Sequence, residues 1–377
     1  MPRRHAPSPV NTLGAVMAAG HTTGFDDLRL ALATAVLCCH SIDVSYGLDF
    51  ASDFENGPFR PVMASLVPMF FALSGFLVAG SLDRCQSIVS FIGLRALRIT
   101  PALAFLTLLA ALILGPLLTR LPLHAYAGDP LLPRYFLNIF GEIQYVLPGL
   151  FERNPWARTV NAQLWTLPYE MMCYIALAAL ALVGIYRRRQ AFALMVVAAN
   201  LILAARYAIK AASTGWSPLP VLPGLPLVLA FLYGVILHLY RDDIRHSPRL
   251  GLAAGVLTAA LLMHSAADYL VPLPIAYVTV WLGLMRLRPS LPVRHGDYSY
   301  GIFLFGFPIQ QAVTQLMGPR FQEWYWNIAA ALPLTILAAI ISWHAVEKPA
   351  LALRGPLRRL EARLLSASRT KAGVAAE

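Results

Sequence analysis

Apolar stretches of about 20 residues recur along the chain, separated by short breaks that collect charged residues and prolines. That length suits a helix crossing the hydrocarbon core of a bilayer, which needs about 20 mostly apolar residues. Ten such stretches can be drawn, at approximately 25–46, 62–82, 98–118, 161–185, 191–211, 221–240, 250–267, 270–287, 298–317 and 327–346. They predict an all-α integral membrane fold, a bundle of about ten transmembrane helices. The longest connection, 119–160, holds Pro122, Pro130, Pro133, Pro148 and Pro155 around an apolar stretch at 135–147. That stretch is short for a span and reads as an interfacial or re-entrant helix, or else as a plain connector lying on the headgroups. No internal repeat is visible.

Composition agrees with this division. Of 377 residues, 58% are hydrophobic and 13% charged, against about 25% charged in soluble domains. No segment is left over for a soluble domain, so any chemistry belongs to the helical bundle. The net charge of +11 could indicate a nucleic-acid partner, but its placement argues for topology. With the N-terminus inside, 22 of the 30 lysines and arginines fall on inner segments and 8 on outer ones, as expected when basic residues concentrate on cytoplasmic loops. Both termini are then cytoplasmic, and no nucleic-acid partner is expected. Residues 1–24 read as a loose cytoplasmic tail, with Arg3 and Arg4 but no signal-peptide core. Residues 25–349 read as one membrane domain and 350–377 as a basic cytoplasmic tail. Cys38, Cys39, Cys85 and Cys173 lie in or beside apolar stretches without metal-site spacing, so neither a disulfide framework nor a metal is expected.

Ionisable side chains inside a span are costly and become functional candidates. In the first stretch Arg29 and His40 are eleven positions apart, which returns them to within about 20° of one helix face with roughly 16 Å of rise between them. Histidine suits a general base acting on a hydroxyl. An arginine near the cytoplasmic end suits a phosphate-bearing donor. The plainer alternative is that Arg29 snorkels and His40 bonds a carbonyl. In the fourth stretch Glu170 lies roughly 13 Å from the outer side, against roughly 8 to 10 Å for His40. At similar depth, Glu170 could orient the imidazole; it could equally pair with another buried polar group. Arg95 and Arg98, one turn apart at an inner boundary, could clamp phosphates or simply anchor the helix. Ser74 and Gly75 in FFALSGFL permit close helix approach, and Pro308 would free carbonyls for other partners.

In order along nearly the whole chain, six motifs resemble the membrane acyltransferase family called acyltransferase-3. They are Arg29 with His40; Phe70 to Leu77; Arg95, Arg98 and Pro101; Trp165, Thr166, Leu167 and Glu170; Ser299 to Ile302; and Val346 to Pro349. The resemblance implies a multi-pass enzyme of the bacterial cytoplasmic (inner) membrane. Such an enzyme takes an acyl group, usually acetyl from acetyl-CoA, and delivers it to a glycan hydroxyl. It also implies that His40 is catalytic and Arg29 essential. Gly306 stands where many relatives place a second histidine, and Asp26-Asp27 replaces the usual Asp-Gly. Without a soluble extracytoplasmic domain, the chain is expected to act alone or with a partner.

The reading that results is an O-acyltransferase embedded in membrane lipid. Arg29, Arg95 and Arg98 hold the donor acyl-CoA, and His40 with Glu170 activates a hydroxyl of a polysaccharide or lipid-linked saccharide. Ser74 has no adjacent base to make it a nucleophile. A transporter or flippase for a lipid-linked sugar is the alternative, since intramembrane charges and broken helices also mark transport paths.

Overall fold

The structure, a computed structural model, describes residues 11–20, 24–214, 224–264, 267–285, 296–318, 321–357, 359 and 361. Arg3 and Arg4, the basic residues between Arg286 and Arg294, and most of the expected C-terminal tail lie outside the described residues. Among the described residues the regular structure is helical, and the only β pairing is an isolated bridge between Thr12 and Arg245. Six helices are long and apolar enough to cross a membrane: Gly24–Tyr46, Arg60–Asp83, Ile88–Leu118, Ala162–Leu182, Arg189–Lys210 and Trp324–Leu357. Gly224–Leu239, Pro248–Leu262 and Pro272–Gly283 are shorter apolar helices. Ser299–Met317 is longer but carries Gln310, Gln311 and Gln315. Each expected stretch is therefore helical, six of them at spanning length, as befits an integral membrane protein.

Two compact units divide the chain. The first comprises Met1–Leu32, Asp53–Gly80 and Ile185–His295. Arg60–Asp83 and Gly224–Leu239 approach closely where two glycines face the opposite backbone. A Cβ on Gly75 would stand 1.9 Å from the Phe231 carbonyl oxygen, and one on Gly234 would stand 2.1 Å from that of Ala72. The small residues of FFALSGFL thus set an interhelical distance. Beside them the fully buried Phe76 ring meets Phe25 at 5.6 Å and the His238 ring edge-on at 5.5 Å. Arg60 binds both Asp268 carboxylate oxygens at 3.0 Å and also donates to the Leu262 carbonyl. It thereby caps the end of Pro248–Leu262 and neutralises a buried carboxylate.

Residues 11–18 correct the expectation of a loose tail. Thr12 caps helix Leu13–Ala18 by accepting from the Ala15 N–H at 3.1 Å. Backbone bonds join this segment to the turn after Gly224–Leu239, Leu13 N to Ile244 O at 2.9 Å and Gly14 N to Arg241 O at 2.8 Å. A capped turn with its exposed N–H groups paired has reason to stay in place.

The second unit comprises Ala33–Ser52, Ser81–Gly184 and Gly296–Glu377. Ser299–Met317 packs along Trp324–Ser342, and a Cβ on Gly301 would come within 2.8 Å of Ala339 Cα. Pro308 lacks the N–H that would bond to the Leu304 carbonyl, and Gln163 Nε2 donates there at 2.6 Å. The carbonyl expected to be freed has found its partner.

The stretch 135–147 is not one helix, contrary to expectation. A 3₁₀ turn, Phe136–Phe140, ends at Gly141, whose φ of 85° is left-handed. Asn138 then holds the reversed chain, its amide N donating to the Tyr135 and Gln144 carbonyls while its Oδ1 accepts from the Gln144 N–H at 2.9 Å. Asparagine competes with helical bonding through such local contacts. The wider loop is not a loose connector either. Tyr126, Tyr135, Leu147, Leu150, Phe151 and Val160 form a core with Ala110 and Ala111. The Tyr126 hydroxyl donates to the Ala111 carbonyl at 2.7 Å, within the π-helical turn Ala110–Leu114.

Candidate active site

The uninterrupted helix Gly24–Tyr46 carries both Arg29 and His40, so the shared face inferred from their spacing holds along it. One turn beyond His40, Asp43 places its Oδ2 2.9 Å from His40 Nδ1. An ionised carboxylate can only accept, so beside one Nδ1 is the donor, and in the neutral imidazole of that tautomer Nε2 carries the lone pair. The histidine side chain is 18% exposed and Asp43 6%, which leaves the ring accessible and its orienting group covered. Phe307 meets the imidazole edge-on at 5.3 Å, and Trp156 meets Phe307 edge-on at 5.0 Å. This aromatic wall holds the ring and limits water beside it. A Cβ on the neighbouring Gly306 would lie 3.2 Å from Leu37 Cδ1, so a side chain there requires the leucine to shift by a few tenths of an ångström.

Glu170 does not join this group; among the described residues no hydrogen bond links it to His40. The Tyr174 hydroxyl, one turn on, donates to its Oε1, and Arg95 and Arg98 lie within electrostatic reach. Residues Ala162–Thr166, ahead of the helix that carries Glu170, form a 3₁₀ turn, which rises about 2 Å per residue rather than 1.5. The carboxylate that meets His40 is Asp43, legible in the sequence as the acidic residue three positions after the histidine but not singled out there.

Arg95 and Arg98 occupy Ile88–Leu118 one turn apart. Arg95 donates to Ser81 Oγ at 3.2 Å and stands 6.0 Å over the Tyr174 ring, while its buried Nε has no partner. Arg98 is more fully engaged: its Nη2 is 2.6 Å from Asp297, its Nη1 is 3.7 Å from Glu347, and it stands 5.6 Å over the Tyr300 ring. Ser299 and Ser342 donate to these carboxylates at 2.6 and 3.0 Å. Asp297, just before the motif at 299–302, Tyr300 within it and Glu347 of the motif at 346–349 therefore meet at Arg98, a convergence no local pattern announces. Arg29, at the other end of the His40 helix, pairs with Asp26 at 3.2 Å.

The geometry supplies an oriented base and, separately, an arginine pair within reach of three carboxylates. The acyltransferase domain family matches residues 23–344, which include all of these side chains except Glu347. The chain belongs to the acyltransferase-3 family. Among the relatives of this acyltransferase is an O-acetyl transferase of Shigella phage Sf6, 25% identical over 344 residues, covering 89% of this chain and 98% of the relative. Nodulation protein 10 of Rhizobium leguminosarum bv. viciae is 29% identical over 377 residues, covering 90% of this chain and 97% of its own. The putative peptidoglycan O-acetyltransferase YrhL of Bacillus subtilis (strain 168) is 25% identical, and its match spans 54% of that longer protein. No solved structure matches.

Proposed function

We propose that this acyltransferase moves an acyl group, acetyl in the simplest case, from cytoplasmic acyl-CoA to a carbohydrate hydroxyl of a surface polysaccharide or lipid-linked glycan. The bacterial cytoplasmic membrane is its setting. The observation that carries this reading is the His40–Asp43 pair, a base whose orienting carboxylate is already in place. The relatives support O-acyl transfer by their names, O-acetyl transferase and peptidoglycan O-acetyltransferase.

In this mechanism His40 Nε2 takes the proton of the attacking hydroxyl. Asp43 holds Nδ1–H and stabilises the imidazolium that forms, the role a buried carboxylate plays beside a catalytic histidine. Arg95, with a spare Nε, and Arg98 attract the donor's phosphates, Arg98 against competition from Asp297 and Glu347. Glu170 and Tyr174 hold Arg95 in position. Arg29, three turns from His40 on the same helix, is assigned to the donor as a further phosphate-binding residue.

Ten crossings with both termini inside accompany this reading, and two contacts support the count by parity. The segment Asn11–Leu13 pairs with Arg245 and His246, and six described helices of 12 residues or more, the last of them Gly224–Leu239, lie between, an even number that agrees with both segments lying on one side. In the other unit the Tyr46 hydroxyl donates to Glu323 at 2.5 Å, and eight described helices of 12 residues or more intervene.

The test is His40→Gln, compared with wild type for folded protein in detergent, acyl-CoA binding and polysaccharide acylation. Loss of a general base should lower the rate by about 10² to 10⁴ with folding and donor binding intact. A normally inserted variant that acylates at more than about a tenth of the wild-type rate lacks the loss a general base requires and would exclude this mechanism.

A further inference from the structure

We propose that Asn161 is a catalytic residue whose side-chain amide binds the acyl carbonyl oxygen as it gains charge during transfer. This rests on the acyl-transfer reading above and assigns the one role that reading leaves empty. Acyl transfer concentrates negative charge on the carbonyl oxygen, and a donor fixed in a water-poor site is among the largest contributions to rate.

The side-chain amides described in the second unit can be examined in turn. Its buried asparagines and glutamines are Asn138, Asn154, Asn161, Gln163, Gln310, Gln311 and Asn327. Asn138, Asn154 and Asn327 donate to the Tyr135, Gln311 and Gln310 carbonyls. Gln163, Gln310 and Gln311 donate to those of Leu304, Leu37 and Trp156. Among these described amides only Asn161 has no acceptor. Its side chain is 0% exposed, yet neither Nδ2 nor Oδ1 has a partner, so exchanging the two atoms would not repair it. A buried amide left wholly unpaired is rare in native proteins and points to a group the protein does not itself supply.

Its position agrees with a catalytic role. The next residue, Ala162, packs against Phe307, Val44 and Trp156. Phe307 is the ring that meets His40 edge-on, and Val44 lies one turn along the helix from His40. Phe307 is thus touched both by His40 and by the residue that follows Asn161. Near it the Asp43 Oδ1 is also buried without a partner, so unpaired polar atoms gather around the base.

The step balances as follows. The acceptor oxygen bonds to the thioester carbonyl carbon as its proton passes to His40 Nε2. The carbonyl π electrons move onto oxygen, where the Asn161 N–H donates. Collapse re-forms the C=O bond and breaks C–S, and the departing thiolate takes the proton from His40. The products are the O-acyl ester and the free thiol of the donor.

The experiment uses the full-length protein in detergent, acetyl-CoA as donor and, as acceptor, surface polysaccharide from a host strain lacking this protein. Thiol release gives kcat and KM, a thioether analogue of acetyl-CoA reports donor binding, and thermal unfolding reports stability. Asn161→Leu and Asn161→Asp should each lose about 10² to 10³ in kcat, with KM and analogue binding within about threefold of wild type. Asn161→Leu removes two unpaired buried atoms, so its melting temperature should equal or exceed that of wild type. A structural asparagine would behave in the opposite way, with lower melting temperature and kcat preserved in the folded fraction. If His40→Gln is inactive while either Asn161 variant keeps more than about a third of kcat, far from the loss a missing oxyanion donor causes, this assignment falls alone. If His40→Gln retains its rate, the general-base reading beneath it falls as well.

Discussion

Arg98 and Asp297 stand 199 positions apart in the chain and meet at 2.6 Å. The same guanidinium lies 3.7 Å from Glu347, whose side chain is 2% exposed. Arg98 therefore does structural work before any donor arrives. Removing one partner of a buried ion pair costs about 3–5 kcal/mol because the other charge stays buried. Arg98→Ala should consequently lower the melting temperature and the yield of folded protein. Adding Glu347→Gln should restore part of the loss, because one stranded charge is removed. Thermal unfolding of both single variants and the double variant measures the coupling; strictly additive losses would show that the pair is not an energetic unit.

His40 and Glu170 sit in different groups of side chains, so variants of Asp43 and Glu170 should separate kinetically. Asp43→Asn leaves a hydrogen-bonding group beside Nδ1 but permits the wrong tautomer, a change worth up to about 10⁴ in kcat in the serine-protease triad. A fall of at least tenfold in kcat, roughly the smallest loss that would mark a tautomer effect, is expected here with donor KM unchanged. Glu170→Gln should act mainly on donor KM through Tyr174 and Arg95. Steady-state kinetics with varied acyl-CoA distinguishes them; a kcat effect confined to Glu170→Gln would return it to the side of His40.

Gly75 and Gly234 each face an opposing backbone carbonyl across the same helix pair. Gly75→Ala should force the helices apart and destabilise by about 1–3 kcal/mol, the usual cost of overpacking. Once one methyl has separated them, Gly234→Ala should cost less in the double variant than alone. Melting temperatures in detergent check this, and full additivity would contradict a shared contact.

Topology can be tested without any assay of activity. A reporter fused after Arg189 or at the C-terminus should report cytoplasm, and one inserted near Pro130 the exterior. An exterior C-terminus would invert the donor and acceptor sides assigned above.

The sequence by itself determined the membrane setting, because helical period and span length are local properties of about 20 residues. It also placed His40 and Arg29 on one face, because both lie in one unbroken helix whose geometry is independent of its neighbours. The glycines of FFALSGFL and the proline at 308 were readable as devices for close approach and freed carbonyls, though not their partners. Tertiary structure alone decided that Phe231 lies against Gly75, that Gln163 answers the Leu304 carbonyl, and that Arg98 gathers Asp297 and Glu347. Each is a meeting of residues far apart in the chain, on which periodicity carries no information. Glu170 bonds Tyr174 one turn on in its own helix, a choice of partner that depth along the helix does not decide. The unpaired amide of Asn161 was equally invisible, since a polar residue shows itself as unsatisfied only when every neighbour that could have bonded it has been placed.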